Sequence, residues 1–179
     1  MSIEIDKLEF VRFKNMGLFD KLKKKKPDEK EGKTAEIFED AFSAIQTDMV
    51  QICLEYVDNR ADKIFIYASF EDNTISCDYF YDIKGRKIER HKLNLVDDKY
   101  DTSIQRQKMC IDILVEDMKH LISLCQKHER SIPTEIKITY DVNSNSLNAN
   151  YQYEPVYSQY HNKTSDDIYE EWFKEISAT

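Results

Sequence analysis

Glycine and proline are both scarce in this chain, with three of each in 179 residues. So few of them argue against a loop-rich or repeat architecture. The shortage of glycine also argues against a backbone cradle for phosphate, and no Gly-rich phosphate loop is present. No apolar run approaches about eighteen residues, so nothing reads as a membrane span, and no secretory leader is recognisable. Cys53, Cys77, Cys110 and Cys125 form no CxxC pair, and no Cys/His spacing suits zinc. Each lies in or beside an apolar pattern, where a reduced thiol packs as a small, inert hydrophobe. Reduced cysteines without an export signal lead us to expect a cytoplasmic protein without stable membrane association. GxSxG and HExxH are missing too. No nucleophile stands beside a base, so we expect no enzyme, no catalytic residue, no metal and no cofactor.

Charge is abundant and uneven. The net charge is −8, with charged residues at 34% and hydrophobic ones at 41%, a globular and not a disordered composition. Residues 1–33 carry ten basic and seven acidic side chains. That leaves sixteen basic and twenty-seven acidic ones in residues 34–179, a net of −11. An acidic body repels nucleic acid and attracts basic proteins. Aromatics on strands resemble a stacking platform for bases, but no basic groove accompanies them. We therefore expect no nucleic-acid partner.

The first 33 residues read as a flexible basic segment and linker. Ile3, Ile5, Leu8, Phe10 and Phe13 alternate weakly, as a short strand or a leader would. Met16–Lys26 resembles a second translation start, with a short amphipathic basic piece suited to a membrane surface, a partner, or solvent. Pro27–Lys33 reads as a charged linker, so one domain is expected over residues 34–179. Thr34 is placed to cap a helix running to about Asn59. Its stripe is Ile37, Phe38, Ala41, Phe42, Ile45, Met49, Ile52, Cys53 and Tyr56.

Three strands of a meander follow, at Asp62–Glu71, Ile75–Ile83 and about Lys87–Leu95, joined at Asp72-Asn73 and Lys84-Gly85-Arg86. One face of this meander mixes Phe65, Tyr67 and Phe80 with polar residues. It is either an aromatic binding patch or a surface covered by a terminal segment. Thr102 or Ser103 caps a long apolar helix to about Lys127, on which Glu116 and His120 form a surface pair four residues apart. Next comes a hairpin over Glu135–Glu154. Ile136, Ile138, Tyr140 and Val142 alternate with polar residues, and after Asn143-Ser144-Asn145-Ser146 the alternation resumes at Leu147, Ala149, Tyr151 and Tyr153. Ser165 caps a last helix, Asp166–Ile176, with Ile168, Tyr169, Trp172, Phe173 and Ile176 on one side and acids on the other. The expected fold is α+β: a five-stranded antiparallel sheet (meander plus hairpin) with helices mainly on one face, in the order α-β-β-β-α-β-β-α.

The candidate binding residues are acidic or aromatic. On the second strand Asp78, Phe80 and Asp82 share a face; the two carboxylates could in principle hold a metal, but lack further ligands. On the last helix Asp166, Asp167, Glu170 and Glu171 make an acidic surface. His91, between Arg90 and Lys92, suits an exposed strand as well as a site.

The segments KIFIYASFEDNTISCDYFYDIKG and IKITYDVNSNSLNANYQYE, with the acidic helix containing YEEWFKEI, resemble the YezG-like immunity family over about residues 34–177. The match departs from the family's tail. Asn162–Tyr169 lacks its Pro and Arg-rich stretch, and Phe173-Lys174 follows Trp172 where the family has Lys and Tyr. The resemblance implies a bacterial cytoplasmic antitoxin that pairs with a polymorphic toxin, several of which are nucleases exported by type VII-type secretion. It carries over no catalytic residue. It implies a cognate protein toxin as partner, and a basic nuclease would suit the acidic body. An adaptor or chaperone of a secretion system, using Met16–Lys26, is the alternative, and an enzyme of unknown class the remaining one.

Overall fold

The structure, a computed structural model, describes residues 2–3 and 37–179. The expected Thr34 cap, the amphipathic Met16–Lys26 piece and the Pro27–Lys33 linker lie outside the described residues. The elements are β1 (Ser2–Ile3), α1 (Phe38–Tyr56), β2 (Lys63–Glu71), β3 (Thr74–Ile83), β4 (Arg86–Glu89), a 3-10 turn (Arg90–Leu95), α2 (Ile104–Lys127), β5 (Glu135–Asp141), β6 (Ser146–Gln152) and α3 (Ser165–Ser177). The five expected strands and three helices stand in the expected order, and the fold is α+β. The two-residue β1 adds a sixth strand to the sheet, in the order β1-β6-β5-β2-β3-β4. Every pairing is antiparallel.

Turn chemistry fixes the register. Asp72 and Asn73 have φ of 49° and 59°, and Lys84 and Gly85 have 54° and 77°. Two consecutive left-handed residues make the tight turn whose twist matches that of paired strands. Asn and Asp tolerate this backbone because their short side chains bond locally, and Gly85 because it has no Cβ. Glu71 is thereby set opposite Thr74, and Ile83 opposite Arg86.

The inward face of the sheet is the one the alternation marked. Ile64, Ile66, Ala68, Cys77, Tyr79, Tyr81, Ile136, Ile138, Tyr140, Leu147 and Ala149 are buried in one core with α1 and α2. From α1 come Met49, Ile52, Cys53 and Tyr56, and from α2 Cys110, Leu114, Met118, Leu121 and Cys125. The Tyr81 hydroxyl donates to the carbonyl of Cys53 at 2.8 Å and ties the sheet to α1. α1 ends where Asp58 and Asn59 turn left-handed, and Arg106 donates to the last-turn carbonyls of Glu55, which also accepts from the Asp58 amide, and Tyr56, at 2.8 and 3.2 Å. Ile37, expected on the apolar stripe, is 59% exposed and precedes the first helical residue.

Ser103 caps α2 as expected, accepting from the Arg106 amide. Glu116 and His120 lie 3.6 Å apart on its exposed side. Two local expectations need correction. α3 is capped by Thr164, one residue before Ser165, through a reciprocal box with Asp167. The third strand stops at Glu89 and does not reach Leu95, because Arg90 and Lys92 fall at the positions where a strand would bury apolar residues. The chain instead rolls into a 3-10 turn that buries Leu93.

α1 and α2 cover one face of the sheet, and α3 lies on the other over β2 and β3. Those two strands are sandwiched, which is why nearly every residue of β2 is buried on both faces. The outer face of the hairpin, with Asn148, Asn150 and Gln152, stays exposed as its polar alternation requires.

Candidate functional site

The choice left open for Phe65, Tyr67 and Phe80 falls to the terminal segment. All three are buried under Ile168, Tyr169 and Trp172 of α3 in a second small core. Phe65 stacks on Phe80 with centroids 4.5 Å apart, and the Trp172 and Phe173 rings meet Phe80 edge-on at 5.2 and 5.0 Å. The quadrupoles of these rings favour such offset and edge contacts. Tyr169 donates its hydroxyl to the carbonyl of Tyr79 at 3.2 Å.

This packing sorts the seven candidate residues. Phe80 is fully buried and presents nothing to a partner, so its place in the binding surface is corrected. Asp82 is corrected likewise. It is 7% exposed, and its carboxylate is closed off by the Lys87 ammonium at 3.0 Å. Asp167 is occupied as a cap, accepting from the Thr164 amide and hydroxyl at 2.8 and 2.7 Å. The Thr164 hydroxyl and amide hold its carboxyl below the usual carboxylate range. Glu171 stands exposed on the outer side of α3, 2.9 Å from Lys163.

The other three converge. Asp78, Asp166 and Glu170 border one cleft of about 400 Å³ at the β3 edge of the sheet. Cys77 and Ile111 line its inner side, and Tyr169 lines it from α3. Glu89, Arg90 and His91 complete it. The sequence pattern marks His91 as suited to an exposed strand or a site, but it singles out neither Glu89 nor Arg90, because the expected strand runs through all three. The signal was the charge run Glu89–Lys92, which breaks the period of two after Ile88.

Four carboxylates therefore face the cleft against one guanidinium. Arg90 pairs with Asp78, lies 5.4 Å from the Tyr79 ring centroid, and is half-buried. Lys92 pairs with Glu89 from the outside, and Lys174 sits 3.2 Å from Glu170. Asp166 and Glu170 are exposed at the rim. Such a cleft suits a cationic side chain. The Cys77 thiol beside it is no nucleophile at neutral pH, because burial and the Asp117 carboxylate push its pKa up to about 12. Among the described residues, no cluster of His, Cys, Asp and Glu is arranged to hold a metal ion. Nor is any helix among them long and apolar enough to cross a membrane.

A second hollow of about 430 Å³ lies between α1 and α2, where Ala41, Ile45 and Leu124 give it an apolar lining. It brings together none of the candidate residues.

No protein-family model matches this chain, and no curated protein is significantly similar to it.

Proposed function

We propose that this protein is a cytoplasmic immunity protein that binds and neutralises a basic bacterial toxin, as its resemblance to the YezG-like family implies. One observation carries the reading. Acidic side chains from β3, β4 and the first turns of α3, far apart in sequence, meet around one cleft: Asp78, Glu89, Asp166 and Glu170. The cleft belongs to a body whose net charge over residues 34–179 is −11. Opposite charge speeds diffusional encounter and fixes the orientation of docking, while the cleft receives a basic side chain of the toxin. Blocking a toxin requires a surface and not a reaction, so no catalytic group is needed.

The test is co-expression with the product of the neighbouring gene, expected to be a large protein with a variable C-terminal toxin domain. Growth should be rescued by this protein. Replacing Glu170 and Glu171 by Lys should slow association roughly tenfold at low salt, and less as salt screens the field. A toxin that kills despite co-expression would refute the reading. An unchanged association rate at low salt would show that neither the cleft rim at Glu170 nor the outer side of α3 at Glu171 faces the toxin.

A further inference from the structure

We infer that the open edge of β3, from Thr74 to Tyr79, accepts an extended segment of the partner as an added antiparallel strand whose residues alternate between apolar and basic. The inference rests on the reading of this protein as a binder of a basic partner, and specifies how the partner is held.

The two tight turns determine where each backbone group of β3 points. A two-residue hairpin loop is closed by a hydrogen-bonded pair, here Glu71 with Thr74 and Ile83 with Arg86. Counting from either turn gives one answer. Thr74, Ser76, Asp78, Phe80 and Asp82 direct their N–H and C=O to β2, while Ile75, Cys77, Tyr79, Tyr81 and Ile83 direct theirs to the opposite side. β4 fills that side only from Phe80 to Ile83. Below Phe80 the lane beside β3 holds no strand among the described residues. Tyr79 is satisfied locally: its amide donates to Asp78 Oδ1 at 2.6 Å, and its carbonyl accepts from the Tyr169 hydroxyl. Ile75 and Cys77 remain as the two residues facing the vacant lane.

The cleft lies along that lane. Its inner side, toward α2, is formed by Cys77 and Ile111. Its outer side, toward α3, is formed by Asp78, Asp166 and Glu170. Successive side chains of a strand point to opposite faces. A strand laid here would therefore place one set of residues against Ile111 and the other against the carboxylates. Main-chain bonds to Ile75 and Cys77 supply affinity, and the two walls supply specificity. A second copy of this chain is disfavoured as occupant, because pairing β3 with its own copy sets Asp166 and Glu170 against the same acids.

The full chain should be titrated with a capped hexapeptide alternating valine and arginine, with a valine–glutamate peptide as control. Amide hydrogen exchange is followed residue by residue. In the free protein, the amides of Ile75 and Cys77 should exchange quickly, and those of Ser76 and Asp78 slowly. The arginine peptide should slow Ile75 and Cys77 about tenfold or more and leave the other two unchanged. Combining Asp166→Asn with Glu170→Gln should weaken that peptide about threefold to tenfold at low salt. Binding without protection of Ile75 and Cys77 would overturn strand addition while the basic-partner reading stands. Equal binding of the glutamate peptide would overturn both. Absence of binding by either peptide, or slow exchange of Ile75 and Cys77 in the free protein, would overturn strand addition alone.

Discussion

Glu71, at the end of β2, is 5% exposed, and its carboxylate holds the loop that leads into α3. Oε1 accepts from the Val156 amide at 2.6 Å, and Oε2 from the Ser158 and Tyr157 amides at 2.8 and 3.4 Å. Replacing it by Gln preserves shape but leaves one acceptor oxygen. Whichever way the amide turns, its NH2 meets at least one N–H that it cannot accept. A hydrogen bond to a charged group is worth about 1.5–3 kcal/mol, and an orphaned buried donor costs about 1–3 kcal/mol. Glu71→Gln should therefore cost about 2–3 kcal/mol at neutral pH, lowering Tm by roughly 4–12 °C. Equilibrium urea unfolding measures the first figure. Burial pushes the Glu71 pKa up, but the bonds from Ser158, Val156 and Tyr157 outweigh burial and hold it below the usual carboxylate range. A depressed carboxylate stabilises the fold above its unfolded pKa, and this stabilisation is lost as pH falls through its folded pKa. The gap between parent and variant should therefore be full at neutral pH and close in acid. A gap under about 0.5 kcal/mol at neutral pH, or one that persists unchanged into acid, would refute the clamp.

Two further predictions concern α3. Trp172→Ala removes the ring that packs on Phe65 and Phe80 and should destabilise the protein by about 3–5 kcal/mol in urea unfolding. Thr164→Ala removes the cap and should cost about 1 kcal/mol, whereas Ser165→Ala, which loses only the 2.9 Å contact with Ser76, should cost less.

Much of the fold was legible because its signals are local. Alternating apolar residues from Ile136 to Val142 and from Leu147 to Tyr151 can bury one face only if both runs are strands, whereas Tyr153, expected to continue the second run, lies past the end of β6 and is exposed. Asp72, Asn73 and Gly85 suit left-handed turns by their own chemistry, while the left-handed Lys84 is held by its amide, which donates to Asp62 Oδ2 at 2.6 Å. The errors were local as well. Ser165 and Thr164 are both competent caps, and Thr164 wins because Asp167 lies three residues on and completes the box. Arg90 and Lys92 broke a strand pattern that was carried past them. The placement of α3 was half legible. Its stripe of Ile168, Tyr169 and Trp172 needed an apolar surface, and the aromatics Phe65, Tyr67 and Phe80 offered one. The sequence did not exclude leaving those aromatics bare for a partner.

By itself the sequence determined the order of the five main strands and three helices, the turns that set the register of the meander, and an acidic body. Each depends on residues within a few positions of one another, or on composition. Only the tertiary structure decided which carboxylates act together. Asp78, Glu89, Asp166 and Glu170 share a cleft because α3 packs across the sheet beside a β4 too short to cover the β3 edge. Asp82 and Asp167, equally acidic in the sequence, are spent on Lys87 and Thr164. The proximity of side chains nearly ninety residues apart follows from the burial of an aromatic face, and charge follows where that packing places it.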